Sequence, residues 1–147
     1  HGLGDGQGST LYPPLVQLLD VFRLLLILLL LGHGIGHLVW FLAAWTPIRA
    51  GVKDGPWLLP GNVTIRSPIG KLLGLVALAA TIVFVLAGVA LLASQPSWAE
   101  WTYLGIFLSF GAVVPWFRQS PGSTPVNAII ADLVLLFVIT IFGTDLV

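Results

Sequence analysis

The chain has 147 residues, a mass of 15.7 kDa and no formal net charge, because six basic residues balance six acidic ones. Charged residues make up 8% of the sequence, against about 25% in an average soluble domain, and hydrophobic residues make up 57%. This composition excludes a disordered chain, a nucleic-acid-binding surface and a water-soluble globule, since each needs more charge. It predicts an all-α integral membrane protein.

The first residues differ in character from the rest. His1 to Ser9 is rich in glycine and has no apolar period. We interpret residues 1–14 as a flexible N-terminal segment, which could derive from a tag. Residues 15–147 are predicted to form a single four-span transmembrane domain.

Four apolar runs follow in chain order, each close to the roughly 20 residues that cross the hydrocarbon core. Pro47 ends the first run, because the residue before a proline avoids the helical region, and Pro68 opens the second at a favoured first-turn position. Helices joined by mostly short loops predict an up-down bundle with antiparallel neighbours. The predicted spans are about 16–45, 69–93, 98–117 and 126–142.

Basic residues orient this bundle. Five of the six lie on the side of the first and third loops, 46–68 and 118–125. Positive charge marks the cytoplasmic side, so both loops are predicted to be cytoplasmic and both termini outside, in a bacterial inner membrane. The long first loop is expected to lie on the membrane surface with Trp57 among the headgroups. The alternative is a lid or a partner-docking loop.

Small residues at a spacing of four recur in three of the spans. They are Gly32 with Gly36, Gly70 with Gly74, and Gly105 with Ser109. Such pairs let helix backbones approach closely in lipid. We expect them to pack helices within the chain, with self-association into a homo-oligomer as the alternative.

Ionisable residues inside a membrane are costly and need partners. His37 lies eight residues before Trp45, roughly 12 Å from the predicted cytoplasmic edge at 1.5 Å per residue. Asp132 lies roughly 9 Å from the same edge, so a His37–Asp132 hydrogen bond is predicted. The pair is either a link between two helices or a candidate catalytic couple. Near the outer edge, Arg23 is expected to pair with Asp20 or Glu100.

The motif Gly32-His-Gly-Ile-Gly-His37 suggests a binding site. His33 and His37 are four residues apart and share a helix face. Either one could be the axial ligand of a tetrapyrrole, chlorophyll or haem, with Gly32, Gly34 and Gly36 leaving room for the macrocycle. The other predicted spans contain no histidine, so a haem with two histidine ligands would need a dimer. Zinc is disfavoured because a fourth ligand is missing.

A second interpretation uses the same histidines for proton chemistry. With Asn127 and Asp132 they could line a polar cavity, and a histidine–aspartate couple is the minimum for a proton relay. This alternative would make the protein a His/Asp-based membrane enzyme or a proton-coupled carrier. It lacks the repeated broken helices typical of secondary transporters.

The motif Gly32-His-Gly-Ile-Gly-His37-Leu-Val-Trp-Phe, the later Pro115-Trp-Phe-Arg118 and the final helix with Asn127 and Asp132 resemble small four-span bacterial membrane proteins. Those proteins carry a His-Gly-x-x-His turn in the first helix and a DoxX-like architecture. The resemblance implies the architecture and supplies no activity. We therefore predict a non-catalytic accessory or binding subunit that meets lipid and other membrane subunits, and no nucleic acid.

Overall fold

The computed structural model describes residues 13–48, 51, 58–60, 63–117, 124–143 and 146. Every described element is a helix or a turn, so the all-α prediction is confirmed. Three of the helices are long and apolar enough to cross a membrane, by length and composition. The helices are α1 (Pro13–Trp45), α2 (Pro68–Leu92), α3 (Trp98–Val113) and α4 (Thr124–Phe142).

The helix boundaries follow the prolines closely. α1 begins at Pro13, within the predicted N-terminal segment, and residues 1–12 lie outside the described residues. The Ser67 side chain caps α2 by accepting from the Gly70 N–H at 3.2 Å, with Pro68 in the first turn. α3 is shorter than predicted, because Pro115 lies in a 3-10 turn over Val114–Trp116.

Two sets of hydrogen bonds cap the C-terminus of α2, one from the backbone and one from the Arg23 side chain. Ser94 adopts a left-handed conformation with φ 54°, and the Gln95 N–H donates to the Ala90 carbonyl at 2.8 Å, which together form a Schellman cap. Arg23 of α1 then donates to the Leu91 carbonyl at 2.5 Å. The same guanidinium also reaches the Leu92 carbonyl and the Ser94 hydroxyl. The prediction that Arg23 pairs with Asp20 or Glu100 is wrong, because main-chain carbonyls at a helix C-terminus are its acceptors.

Arg23→Met is expected to lower the free energy of unfolding by about 1–3 kcal/mol, since the carbonyls that end α2 lose a shared donor. Asp20→Asn and Glu100→Gln are expected to change it by less than about 0.5 kcal/mol, as surface substitutions do. Unfolding titrations of the purified protein in mixed micelles would measure these differences. A loss in Asp20→Asn as large as that in Arg23→Met would restore the ion pair predicted from the sequence.

α2 lies between α1 and α3, whereas α4 packs mainly on α3 and makes few contacts with α1. Neighbouring helices run antiparallel: Arg23 near the start of α1 meets the end of α2, and Phe22 packs edge-on against Phe142 at the end of α4. The small residues of α2 and α3 are buried, as predicted for packing within the chain. They are Gly70, Gly74, Ala77, Thr81 and Gly88 of α2 and Gly105, Ser109 and Ala112 of α3.

Two apolar clusters form the core, one toward each end of the helices. The first includes Leu26, Leu30, Phe84, Leu91, Trp98 and Leu135. The second includes Trp40, Ala43, Ala77, Ala112 and Trp116 together with Val63 and Ile65 from the first loop. That end of the loop therefore packs into the core, while Trp57, expected at the membrane surface, lies outside the described residues. Along α1, α2 and α3, the buried polar residues His33, His37, Thr81 and Ser109 lie between the two clusters, and Asp132 of α4 meets them at that level.

Candidate functional site

Asp132 is the centre of the polar layer between the two apolar clusters. Its side chain on α4 is 1% exposed. One carboxylate oxygen lies 2.8 Å from His33 Nε2 on α1, and the other accepts from Ser109 Oγ on α3 at 2.5 Å. An ionised carboxylate only accepts hydrogen bonds, so in that state His33 Nε2 carries a proton and donates it. This network links three of the four helices.

The predicted His37–Asp132 bond is wrong, because His33 occupies that position. The prediction compared depths by counting residues from the ends of two helices. An offset of one turn changes depth by about 5.4 Å, and four residues separate His33 from His37. Both histidines share a helix face, so the sequence placed the correct face against α4 in the wrong register.

The His37 side chain is buried, with 2% exposure. Its ring stacks on Phe84, with centroids 6.0 Å apart and planes 10° apart, and meets the edge of His33 at 4.9 Å. Neither ring nitrogen has a hydrogen-bond partner among the described residues. Burying a polar group without a hydrogen bond costs about 1–3 kcal/mol. The two ring nitrogens of His37 incur this cost and stay available to a partner outside the described residues.

A cleft of about 190 Å³ opens beside these histidines, between α1 and α4. Gly32 and Gly36 are exposed on its α1 side, and a Cβ added at either would meet nothing within 4 Å. The expectation that this glycine pair packs helices within the chain is therefore wrong for the described residues. The lining residues are Gly32, His33, Gly36, His37, Trp40, Asn127 and Ala128.

Gly34 lies on a different side of α1, against α2. A Cβ there would lie 2.9 Å from Phe84 Cβ and 3.2 Å from the Thr81 carbonyl oxygen. Thr81 Oγ1 also donates to the Gly34 carbonyl at 2.8 Å. Gly34 is thus a helix-packing residue, and the three glycines predicted to leave room for a macrocycle do not form one surface.

The geometry does not fit a tetrapyrrole. The cleft is smaller than the roughly 300 Å³ at the lower end for drug-sized ligands, and a macrocycle is larger than most of these. In addition, His33 Nε2 is engaged by Asp132, and the His37 ring would have to turn toward the cleft before either of its buried nitrogens could reach any ligand. Among the described residues no group of three His, Cys, Asp or Glu side chains could hold a metal ion.

The remaining predicted polar residues lie elsewhere or line the rim. Asn127 lines the α1/α4 cleft, Asp20 is exposed, and Glu100 lines a separate cleft between α3 and α4 with Tyr103 and Thr140. The sequence did not indicate that Ser109 is a partner of Asp132. Its small-residue spacing with Gly105 marked a packing face, which is the only signal that pointed to it.

Comparisons with protein-family models, with curated proteins and with solved structures found no match to this chain.

Proposed function

We propose that this chain is a binding subunit of a bacterial inner membrane, and that its α1/α4 cleft holds the polar head of a lipid-soluble molecule. The observation that carries the proposal is His37, which lines an open cleft and whose two buried ring nitrogens have no hydrogen-bond partner among the described residues. The basic residues of loops 46–68 and 118–125 support cytoplasmic loops and outside termini. In this orientation the cleft lies within the depth of the bilayer.

The chemistry of the cleft favours a neutral ligand. The only carboxylate near the cleft among the described residues, Asp132, is buried and already accepts two hydrogen bonds. A further charge at this depth would be costly. A neutral imidazole donates from one nitrogen and accepts at the other, so a small turn of the His37 ring toward the cleft would satisfy a carbonyl or a hydroxyl group.

The rim of the cleft favours a ligand with an apolar body. Gly32 and Gly36 leave the α1 backbone uncovered, and Trp40 and Ala128 add apolar surface. No described residue covers the open face of the α1/α4 cleft. A lipid-soluble molecule could therefore enter the cleft laterally from the hydrocarbon. A ligand with a hydrogen-bonding head and an apolar body would match both His37 inside the cleft and the apolar residues at its rim.

Gly36→Leu is expected to fill the cleft and to lower the amount of a co-purifying small molecule by about tenfold, equivalent to about 1.4 kcal/mol. The fold should persist, because a Cβ added at Gly36 meets nothing within 4 Å. Mass spectrometry of organic extracts from protein purified in mild detergent would measure the amount per chain. Gly111→Leu is the matched control, since Gly111 is an exposed glycine on α3.

Equal small-molecule content in wild type, Gly36→Leu and Gly111→Leu would contradict the binding proposal. Light scattering on the same samples separates another outcome. If Gly36→Leu dissociates a homo-oligomer without changing the extracts, the glycine face is a contact between subunits.

The His33–Asp132–Ser109 network supports a second candidate, a proton-coupled carrier. A buried carboxylate hydrogen-bonded to an imidazole can hold and pass a proton. Proton flux in liposomes containing the protein that depends on voltage or on a co-transported solute, and that Asp132→Asn abolishes, would support this function. The binding proposal requires no such flux, so the assay distinguishes the two.

A further inference from the structure

Another cleft lies where α1 ends and α2 begins, at the end of these helices that is predicted to face the cytoplasm. Its volume is about 260 Å³. Two of its lining residues are basic and none is acidic. The lining residues are Ala44, Trp45, Thr46, Pro47, Arg66 and Lys71.

Contacts with neutral groups hold both cations at this cleft. Arg66 Nη2 donates to the Thr46 carbonyl at 2.9 Å, which fixes the guanidinium beside the end of α1. The Lys71 ammonium lies 5.3 Å from the centre of the Trp45 ring, and Trp45 Nε1 donates to the Lys71 carbonyl at 3.0 Å. Carbonyl oxygens and a ring face orient these cations without neutralising their charge.

The surroundings of the cleft resemble a membrane interface. Trp45 ends one apolar helix and Lys71 lies in the first turn of another. Tryptophan is enriched at the headgroup level, and basic pockets between spanning helices on the cytoplasmic side bind anionic headgroups. The N-terminal end of α2 adds positive potential at the same place.

We propose that the cleft formed by Trp45, Arg66 and Lys71 is a phosphate-ester site that binds the headgroup of an anionic phospholipid. The phosphate would meet the two cations, while the exposed Pro47 contacts the apolar part of the lipid. This site is separate from the α1/α4 cleft and uses none of its lining residues. This inference rests on one part of the proposed function, that the helices span a membrane, and it does not depend on which ligand the α1/α4 cleft binds.

The test uses the full chain in a neutral detergent. Calorimetric titration would compare short-chain phosphatidylglycerol, short-chain phosphatidylcholine and inorganic phosphate. We expect phosphatidylglycerol to bind more tightly than phosphatidylcholine. Lys71→Gln should weaken this binding about fivefold, which corresponds to about 1 kcal/mol for one basic residue near an anionic surface. Melting temperatures of the variants would verify that each remains folded.

If Lys71→Gln binds phosphatidylglycerol as tightly as wild type, the proposal is overturned. Equal affinity for the two lipids would also overturn it. Inorganic phosphate that binds as tightly as phosphatidylglycerol, with the same dependence on Lys71, would support the phosphate site and assign it to a soluble source. Gly36→Leu should leave this binding unchanged, whatever its effect on the other cleft.

Discussion

Replacing His33 by alanine is expected to lower the free energy of unfolding by about 3 kcal/mol, because the buried Asp132 carboxylate loses one of its two described hydrogen-bond donors. Asp132 is 1% exposed, and without His33 its carboxylate keeps Ser109 as its described partner. Asp132→Asn is expected to lose less than about 1 kcal/mol. The amide has the same shape, accepts from Ser109 and donates to a neutral His33.

A double-mutant cycle tests whether the charge causes this difference. His33→Ala should destabilise the Asp132→Asn background by only about 1 kcal/mol, because no buried carboxylate is then left uncompensated. Unfolding titrations in mixed micelles would give all four free energies. Equal losses from His33→Ala in both backgrounds would show that the pair is not coupled.

His37→Ala provides the matched control for the adjacent turn. The His37 ring stacks on Phe84 and forms no hydrogen bond to a described residue. Because His37 reaches Asp132 only through the His33 ring, His37→Ala should couple to Asp132→Asn much less than His33→Ala does. Strong coupling of His37, rather than His33, to Asp132 would restore the pairing predicted from the sequence.

Gly34→Ala is expected to destabilise the protein by about 1–3 kcal/mol, the range for overpacking a well-packed contact. The new Cβ would lie 2.9 Å from Phe84 Cβ and 3.2 Å from the Thr81 carbonyl oxygen. Neither neighbour is the flexible end of a long side chain, and Phe84 is fully buried. Relief would therefore require α1 and α2 to separate, which would also stretch the Thr81–Gly34 hydrogen bond.

Gly32→Ala and Gly36→Ala are the controls within the same motif, because both positions face open space. Alanine favours a helix over glycine by about 1 kcal/mol, so these variants should be as stable as wild type or more stable. The same unfolding titrations would compare the three. A loss at Gly36 as large as that at Gly34 would mean that another chain packs on the cleft face of α1.

The sequence by itself determined that the chain is helical, where α1 ends and where α2 begins. Proline positions and unbroken apolar runs decide where a helix can begin and end, and both are local properties. Pro47 and Pro68 therefore marked boundaries that the structure confirms. The motif around His33 and His37 and the lone Asp132 also stood out, because ionisable residues are rare in apolar runs.

Only the tertiary structure decided which of these residues meet. The partner of Asp132 depends on the relative axial position of α1 and α4, and a spacing of four residues leaves His33 and His37 equivalent in direction. Ser109 and Phe84 entered the site because α3 and α2 bring them there. The three glycines of one motif also have different surroundings. Gly34 lies in the contact between α1 and α2, whereas Gly32 and Gly36 line an open cleft. Their neighbours lie on other helices, so no local pattern on α1 can specify those contacts.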